Sequence, residues 1–315
     1  MKLKPNILEK LRCPISKKSL VLKDKILTTG DGLQTYNITE SGIPLFAEQF
    51  CSNDAKRQQA HYEKVAEQYI KNLDYPHTKE YMAYLDQVFK NEVFDSDLNE
   101  VAEICCGQGE LLGIYDSKSV VGLGVDISQA MLESAVVKHK AAEDYCFIQG
   151  DATQLPLESE SFSSVFMLGG IHHVSDREGL FKEVNRILKP GGRFYWREPV
   201  SDFFLWRWLR AIIYRVSPSL DAETEAPLLY KETVPFLEIA GLKLKVWKTY
   251  GFLGFCFFMN SDVLVFNRLF RFIPGIRKLT QLAIRFDDYV VKLPGLKNTG
   301  LQVVGVAEKP MSEHF

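Results

Sequence analysis

Hydrophobic and polar positions follow two regimes along the chain. Residues 1–50 combine ILEKLRCPISKKSLVL with short strand-like runs, a Thr-Gly-Asp-Gly turn at 29–32 and YNITESGIPLF, the pattern of a small β-rich unit. A helical period runs over about 55–93, through HYEKVAEQYIKN and KEYMAYLDQVFKN. Beyond it, apolar runs of strand length alternate with helical periods. The spacing predicts strands at Glu100–Cys105, Ser119–Val125, Tyr145–Gln149, Ser164–Leu168 and Arg193–Arg197. It predicts helices starting at Gly109–Tyr115 and running over Gln129–His139 and Arg177–Ile187. The regularity breaks twice. Residues 201–229 precede a helix at about 231–240 and a strand at Lys243–Tyr250; residues 251–299 precede a last strand at Leu301–Ala307. The fold class this predicts is α/β: a doubly wound, mostly parallel seven-stranded sheet with helices on both faces over 55–309, plus the N-terminal unit and two inserted segments.

Composition narrows the class. A net charge of −2 provides no global field for nucleic acid, so no nucleic-acid partner is expected. No apolar run approaches the roughly 18 residues of a membrane span, and MKLKPNILEK lacks the apolar core of a secretory signal. The six cysteines, at 13, 51, 105, 106, 146 and 256, form no disulfide framework and read as reduced thiols, with a cytoplasmic location expected. Charge is uneven: between Asp202 and Phe286 twelve basic and seven acidic residues leave a local excess of +5.

The chemistry begins where an apolar strand, Val101–Ile104, runs into Cys105-Cys106-Gly107-Gln108-Gly109 and then a helix. Glycines at such a turn permit tight backbone and close ligand approach. The next strand ends at Asp126, about 20 residues past the turn, where a carboxylate can accept hydrogen bonds from ribose hydroxyls. A third strand ends in Gly150-Asp151-Ala152. Acids at or beside three successive strand ends point to a nucleotide-like ligand. Leu112 fills the third glycine position of a dinucleotide motif, and Glu103 opens the turn with a carboxylate. A negative group there suits a cation better than a phosphate, which points to S-adenosylmethionine.

AEICCGQGELL, VVGLGVDISQAMLESA, FIQGDATQLPLESESFSSVFML and IHHVSD with LFKEVNRILKPGGRFYWREP follow one another over about 100–199. On these motifs the chain resembles class I S-adenosylmethionine-dependent methyltransferases, in the broad small-molecule group that includes quinone-biosynthesis C-methyltransferases. The resemblance implies that Glu103 lies near the methionine amino group, that Gly107 and Gly109 give close backbone approach, and that Asp126 holds the ribose. It further implies that Ile127 flanks the adenine, that Asp151 and the Ala152 amide read the adenine edge, and that Leu168 lines the cofactor floor. Cys105 replaces the family's first glycine, and Ser163 or Ser164 its acid at the start of the fourth strand. Residues 1–50 resemble the small zinc-ribbon-like domain found fused to or partnered with various methyltransferases. Zinc needs four ligands, and among residues 1–50 only Cys13 is a cysteine, so a degenerate, metal-free unit packed on the catalytic domain is expected.

His172 and His173 follow the fourth strand of the sheet, where acceptor and methyl donor meet in this fold; they either supply a general base or shape the pocket. In phosphoethanolamine-type methyltransferases a histidine matching His173 works with an N-terminal tyrosine. Tyr62 and Tyr69 are the tyrosines placed for such a pair, or else core aromatics. Glu198 is a further polar candidate, or a loop anchor. The insertions carry Phe203–Arg215 and Gly251–Met259 with Val263–Ile276, apolar sequence punctuated by arginines. They read as a helical lid over a hydrophobic acceptor, a homodimer interface or a peripheral membrane contact. The acceptor expected is a small hydrophobic molecule such as a quinone, lipid or polyketide-like product. Methylation of RNA or protein, and a non-catalytic cofactor-binding subunit, are the alternatives.

Overall fold

A computed structural model describes residues 3–216, 226–259 and 265–311. Parts of both expected insertions, 217–225 and 260–264, lie outside the described residues. A single helical turn, α1 (Pro5–Leu8), leads into an antiparallel three-stranded sheet, β1 (Leu20–Lys23), β2 (Ile26–Thr29) and β3 (Thr35–Asn37). The long helical stretch is two helices, α2 (Asn53–Leu73) and α3 (Pro76–Glu92). Pro76 divides them, because proline cannot continue a helix but is preorganised to start one. Ser52 caps α2, its hydroxyl accepting from the Ala55 amide at 3.2 Å.

The large domain continues with β4 (Val101–Ile104), α4 (Glu110–Ile114), β5 (Gly122–Asp126), α5 (Gln129–Lys138), β6 (Tyr145–Gln149) and β7 (Phe162–Leu168). Then come α6 (Arg177–Ile187), β8 (Leu188–Pro199), α7 (Phe204–Val216), α8 (Tyr230–Ile239), β9 (Lys243–Tyr250), α9 (Leu253–Phe258), α10 (Ile276–Val290) and β10 (Gln302–Glu308). The sheet has seven strands in the order β6-β5-β4-β7-β8-β10-β9. β4 through β8 pair in parallel, and β10 runs antiparallel to both its neighbours. The predicted doubly wound sheet is therefore present. Every residue of β4 and β6 is buried, as expected of parallel strands covered on both faces. Gly305 of β10 lies against the Trp196 ring, where an added Cβ would sit 2.0 Å from a ring carbon.

One face of the sheet shares its core with the N-terminal unit. Ile7, Leu11, Leu27, Tyr36 and Phe46 cluster with Ile148, Leu157, Phe162 and Val165. Leu45 bridges in parallel to Gln149 of β6, the edge strand, and the Gln149 amide donates to the Pro44 carbonyl at 2.9 Å. The buried Cys13 thiol meets the Tyr36 hydroxyl at 3.0 Å and accepts from the Ser16 amide at 3.2 Å. Among the described residues no group of three or more His, Cys, Asp or Glu is placed to hold a metal ion.

The second insertion packs on α3. Asp287 of α10 is buried and accepts from the Tyr81 hydroxyl at 2.5 Å and from the amides of Phe252, Gly254 and Phe255 at 2.8–2.9 Å. In the first insertion, buried Trp206 donates to the Thr299 carbonyl at 2.6 Å and lies edge-on to Phe252 at 4.8 Å. No described helix is long and apolar enough to cross a membrane.

Candidate active site

Strand order reverses at β4, with β5 and β6 on one side and β7 and β8 on the other. Ligands of open α/β sheets bind at the carboxyl ends of the strands beside such a reversal. A cavity opens there, between the ends of β4, β5 and β7 and the first half of α2.

The turn after β4 places Cys105, Gly107 and Gly109 in left-handed backbone, at φ 53°, 51° and 74°. Glycine accepts this without strain, whereas a side-chain-bearing residue such as Cys105 pays about 1–2 kcal/mol. Cys105 lines the cavity and fits because Gly170 faces it: a Cβ on Gly170 would lie 2.4 Å from the Cys105 Cβ. Burial pushes the Cys105 thiol well up, so it is protonated at neutral pH.

Asp126 faces the cavity from the end of β5. Its Oδ2 accepts from the Gly107 amide at 2.8 Å and its Oδ1 from the Ser128 amide at 2.9 Å, which ties the two loops together. Ile127, Asp151 and Ala152 line the same cavity, and Leu168 lines it from the end of β7. Asp151 also has a structural task. It accepts from the Ser52 amide at 2.8 Å and from the Thr153 amide and hydroxyl at 2.8 and 2.7 Å, so it clasps the N-cap of α2.

Glu103 departs from the expectation. Side chains alternate along a strand, so Glu103 projects to the opposite face from Ile104, which lines the cavity. Its carboxylate is fully buried, accepts from the Leu111 amide at 2.8 Å and the Tyr145 hydroxyl at 3.0 Å, and is pushed up to about 8 by burial. The carboxylate that does face the cavity beyond this turn is Glu110, the first residue of α4. Burial pushes it up to about 7, with Arg197, 3.8 Å away, pulling the other way. Sequence reasoning missed Glu110; its signal is an acid in the first helical turn after a glycine turn.

The loop after β7 is organised by Glu198. Its Oε1 accepts from the amides of Gly170 and Ile171 at 2.6 and 2.8 Å, and its Oε2 meets His172 Nδ1 at 2.8 Å. Burial lifts Glu198 to about 7 and depresses His172 to about 3. Neither residue lines the cavity. His172 packs against His173, ring centroids 3.9 Å apart and tilted by 39°, and it is His173 that reaches the cavity, with its Nε2 3.0 Å from the Tyr62 hydroxyl. Burial depresses His173 well below the usual range, so its ring is neutral at neutral pH. Tyr62 is presented by α2, whose Ser52, Asp54, Ala55 and Gln58 also line the cavity. The Tyr69 side chain lies outside what is described. No described residue of either insertion lines the cavity, and the described element that covers it is α2.

Carboxylates at Glu110, Asp126 and Asp151 share the walls with Ile104, Val125, Met131 and Leu168, and no lysine or arginine lines them among the described residues. Such a wall suits a ligand that is cationic and partly apolar, and it offers nothing to a phosphate. The donor set fits S-adenosylmethionine.

Comparison with known proteins agrees. Residues 102–196 match the family model described as a methyltransferase domain. A Staphylococcus aureus demethylmenaquinone methyltransferase is 30% identical over 146 residues, 44% of this chain and 60% of that protein. The chain thus spans 60% of the length of the curated relatives it matches. A SAM-dependent methyltransferase structure from Thermotoga maritima aligns with TM-score 0.52 at 19% identity, over 80% of this chain and 99% of that one. A chain from a complex between the Haloferax volcanii Trm112 methyltransferase activator and a candidate methyltransferase aligns with TM-score 0.52 at 18% identity, over 84% of this chain and 99% of that one. The fold and the matched domain are those of the class I S-adenosylmethionine-dependent methyltransferases. Within that domain the chain is similar to quinone-biosynthesis methyltransferases.

Proposed function

We propose that this protein transfers the methyl group of S-adenosylmethionine to a small hydrophobic acceptor of quinone, lipid or polyketide-like type, held at the Tyr62–His173 pair. The observation that carries the reading is the placement of that pair, 3.0 Å apart, in the same cavity as Asp126 and Asp151. The cofactor supplies an electrophilic methyl group on a sulfonium when bound. Asp126 keeps lone pairs beyond its two amide contacts, which suit ribose hydroxyls. Glu110 suits the ammonium of the methionine moiety. Neutral His173 can accept a proton from an acceptor hydroxyl, with Tyr62 holding the ring and the acceptor in line. Glu198 and His172 act through His173 as positioning residues. α2 keeps water from the reacting atoms, and in-line methyl transfer depends chiefly on such positioning. The likeness to demethylmenaquinone methyltransferases over the matched segment supports a quinone-like acceptor.

The test is product analysis by mass spectrometry with a panel of acceptors that includes a demethylmenaquinone analogue, beside calorimetry for cofactor affinity. Tyr62→Phe is expected to leave cofactor affinity nearly unchanged and to lower turnover by about 10²-fold, the scale of a lost acid–base group. Cofactor binding without methylation of any acceptor would favour a non-catalytic partner subunit. Labelling of RNA or protein in place of small molecules would overturn the acceptor class.

A further inference from the structure

The helices of the two insertions are built the wrong way round for an element facing water. On α7, Phe204, Leu205, Trp208 and Ile212 are all exposed, Trp208 at 63%. At 100° per residue they fall within an arc of about 100°. Trp206, on the opposite side, is the residue α7 buries. On α10, Leu279, Leu282, Phe286 and Tyr289 are exposed at spacings of three, four and three, one stripe of about 80°. Ile276, Thr280, Asp287 and Val290 form that helix's buried side. In the 3₁₀ segment Val265–Phe272, Leu269 and Phe272 are exposed as well. A helix that covers a core buries its apolar stripe and leaves charge outside. These helices already have an inner apolar side and carry a second one outward. Scattered exposed hydrophobics need no explanation, but a contiguous set on consecutive elements does.

Charge decides what the outer side meets. α7, α9, the 3₁₀ segment and α10 carry two carboxylates among their described residues, Asp287 turned inward and Asp288 part-exposed. Asp287 holds α9, and Asp288 accepts from the Tyr84 hydroxyl at 3.3 Å and from Lys292 at 2.5 Å. The exposed cations of these elements are Arg207, Arg271, Arg277, Lys278 and Arg285; Arg207 has Asp202 nearby and Arg285 has Asp288 three residues on, which leaves a net positive charge on the outer face. Lys278 and Arg285 flank the α10 stripe directly. The face thus carries apolar stripes with cations along an edge. A second copy of the chain would bring two positive margins together. Nucleic acid would answer the cations and leave the leucines and isoleucine unpartnered. A bilayer with anionic headgroups answers both parts of the pattern, apolar side chains entering the acyl boundary while the cations meet phosphate.

We infer that α7, the 265–272 segment and α10 form a docking face for the surface of an anionic membrane. The face adjoins the cavity's loop: Arg210 of α7 lies close enough to His172 to add to burial in depressing that imidazole. A protein docked this way draws its acceptor from the lipid phase. The inference needs neither cofactor nor turnover, so it can fail while the methyl-transfer reading stands.

The experiment is co-sedimentation of the full chain with phosphatidylcholine vesicles, with and without phosphatidylglycerol, at low and high salt. Binding is expected to require phosphatidylglycerol and to weaken at high salt. The paired changes Phe204→Ser with Trp208→Ser, and Leu282→Ser with Phe286→Ser, are each expected to weaken it by about tenfold or more, because each removes two large apolar side chains from the boundary. All four positions are exposed, so thermal unfolding should hold; Trp208 emission in the unaltered protein, expected to shift to the blue on vesicle addition, gives a second readout that needs no variant. Absence of binding to phosphatidylglycerol vesicles at low salt, or binding that both pairs leave intact, overturns the inference. So does a solution dimer that the serine variants dissolve, or displacement of the protein from vesicles by RNA.

Discussion

Cys105 holds a backbone conformation that glycine holds at lower cost, and it does so against a glycine that makes room for it. The backbone at Gly170, φ −117° and ψ −29°, is one any residue adopts, so the glycine there is explained by space alone. Gly170→Ala is therefore expected to destabilise the protein by about 1–3 kcal/mol through overpacking. Adding Cys105→Gly should recover at least about 1 kcal/mol, a coupling that thermal or denaturant unfolding of the four-member cycle reads directly. Asp126→Ala should weaken S-adenosylmethionine binding by about tenfold or more, because hydrogen bonds to a charged group are worth about 1.5–3 kcal/mol. Calorimetry showing unchanged affinity would remove Asp126 from the site. Glu103 makes a prediction of the opposite kind. Its folded-state value, about 8, lies above its ordinary 4.5, so the folded protein holds its proton more tightly than the unfolded chain does. That contribution is fully present below about pH 4.5 and is lost as pH rises through about 8. Glu103→Gln removes the loss, so the stability of the variant relative to the unaltered protein should improve with pH over that window, by roughly a few kcal/mol in all. Its cofactor affinity should be unchanged, because the side chain does not face the cavity.

At the scale of elements, Asp287 is the joint on which the second insertion turns. One carboxylate satisfies the start of α9 and a tyrosine of α3. Asp287→Ala leaves four donors, two of them fully buried, without their acceptor and should cost at least about 3 kcal/mol. Limited proteolysis should then cut first within 251–299, while cofactor binding persists, because no described residue of that segment lines the cavity. The strands and the ligand loops were legible in the sequence because buried parallel strands are unbroken apolar runs and their ends announce themselves with glycine and acid. What a strand end does not announce is the face its side chains take: a motif locates Glu103, and only the register of β4 turns it away from the cavity. Tyr62, and its segment as the cover of the cofactor, could be named only through the family resemblance. A helical period reveals an apolar stripe without saying what lies beneath it. The insertions show the same limit. Their apolar content left a lid, a dimer interface and a membrane contact open, and the period could not tell that α7 and α10 each bury one side and turn a second stripe outward.

At the scale of the whole molecule, the small N-terminal sheet and the large domain share one core, and the unit covers the β6 edge through Leu45. The unit's frame resembles a zinc ribbon, yet Cys13 contacts Tyr36 and Ser16. Elemental analysis of the purified protein is expected to find no stoichiometric zinc; one equivalent, lost on Cys13→Ser, would refute this. The shared core has a consequence for how the chain is made. Ile7, Leu27 and Phe46 leave the ribosome more than 100 residues ahead of Leu157 and Phe162, against which they are buried. At 5–20 residues per second that gap lasts on the order of ten seconds. Throughout it the first fifty residues have no finished core, and their apolar side chains are open to chaperones or to neighbouring nascent chains. Synthesis should therefore be the protein's most vulnerable period. Slowing translation between residues 50 and 150 would lengthen that exposure without altering a single contact of the finished fold.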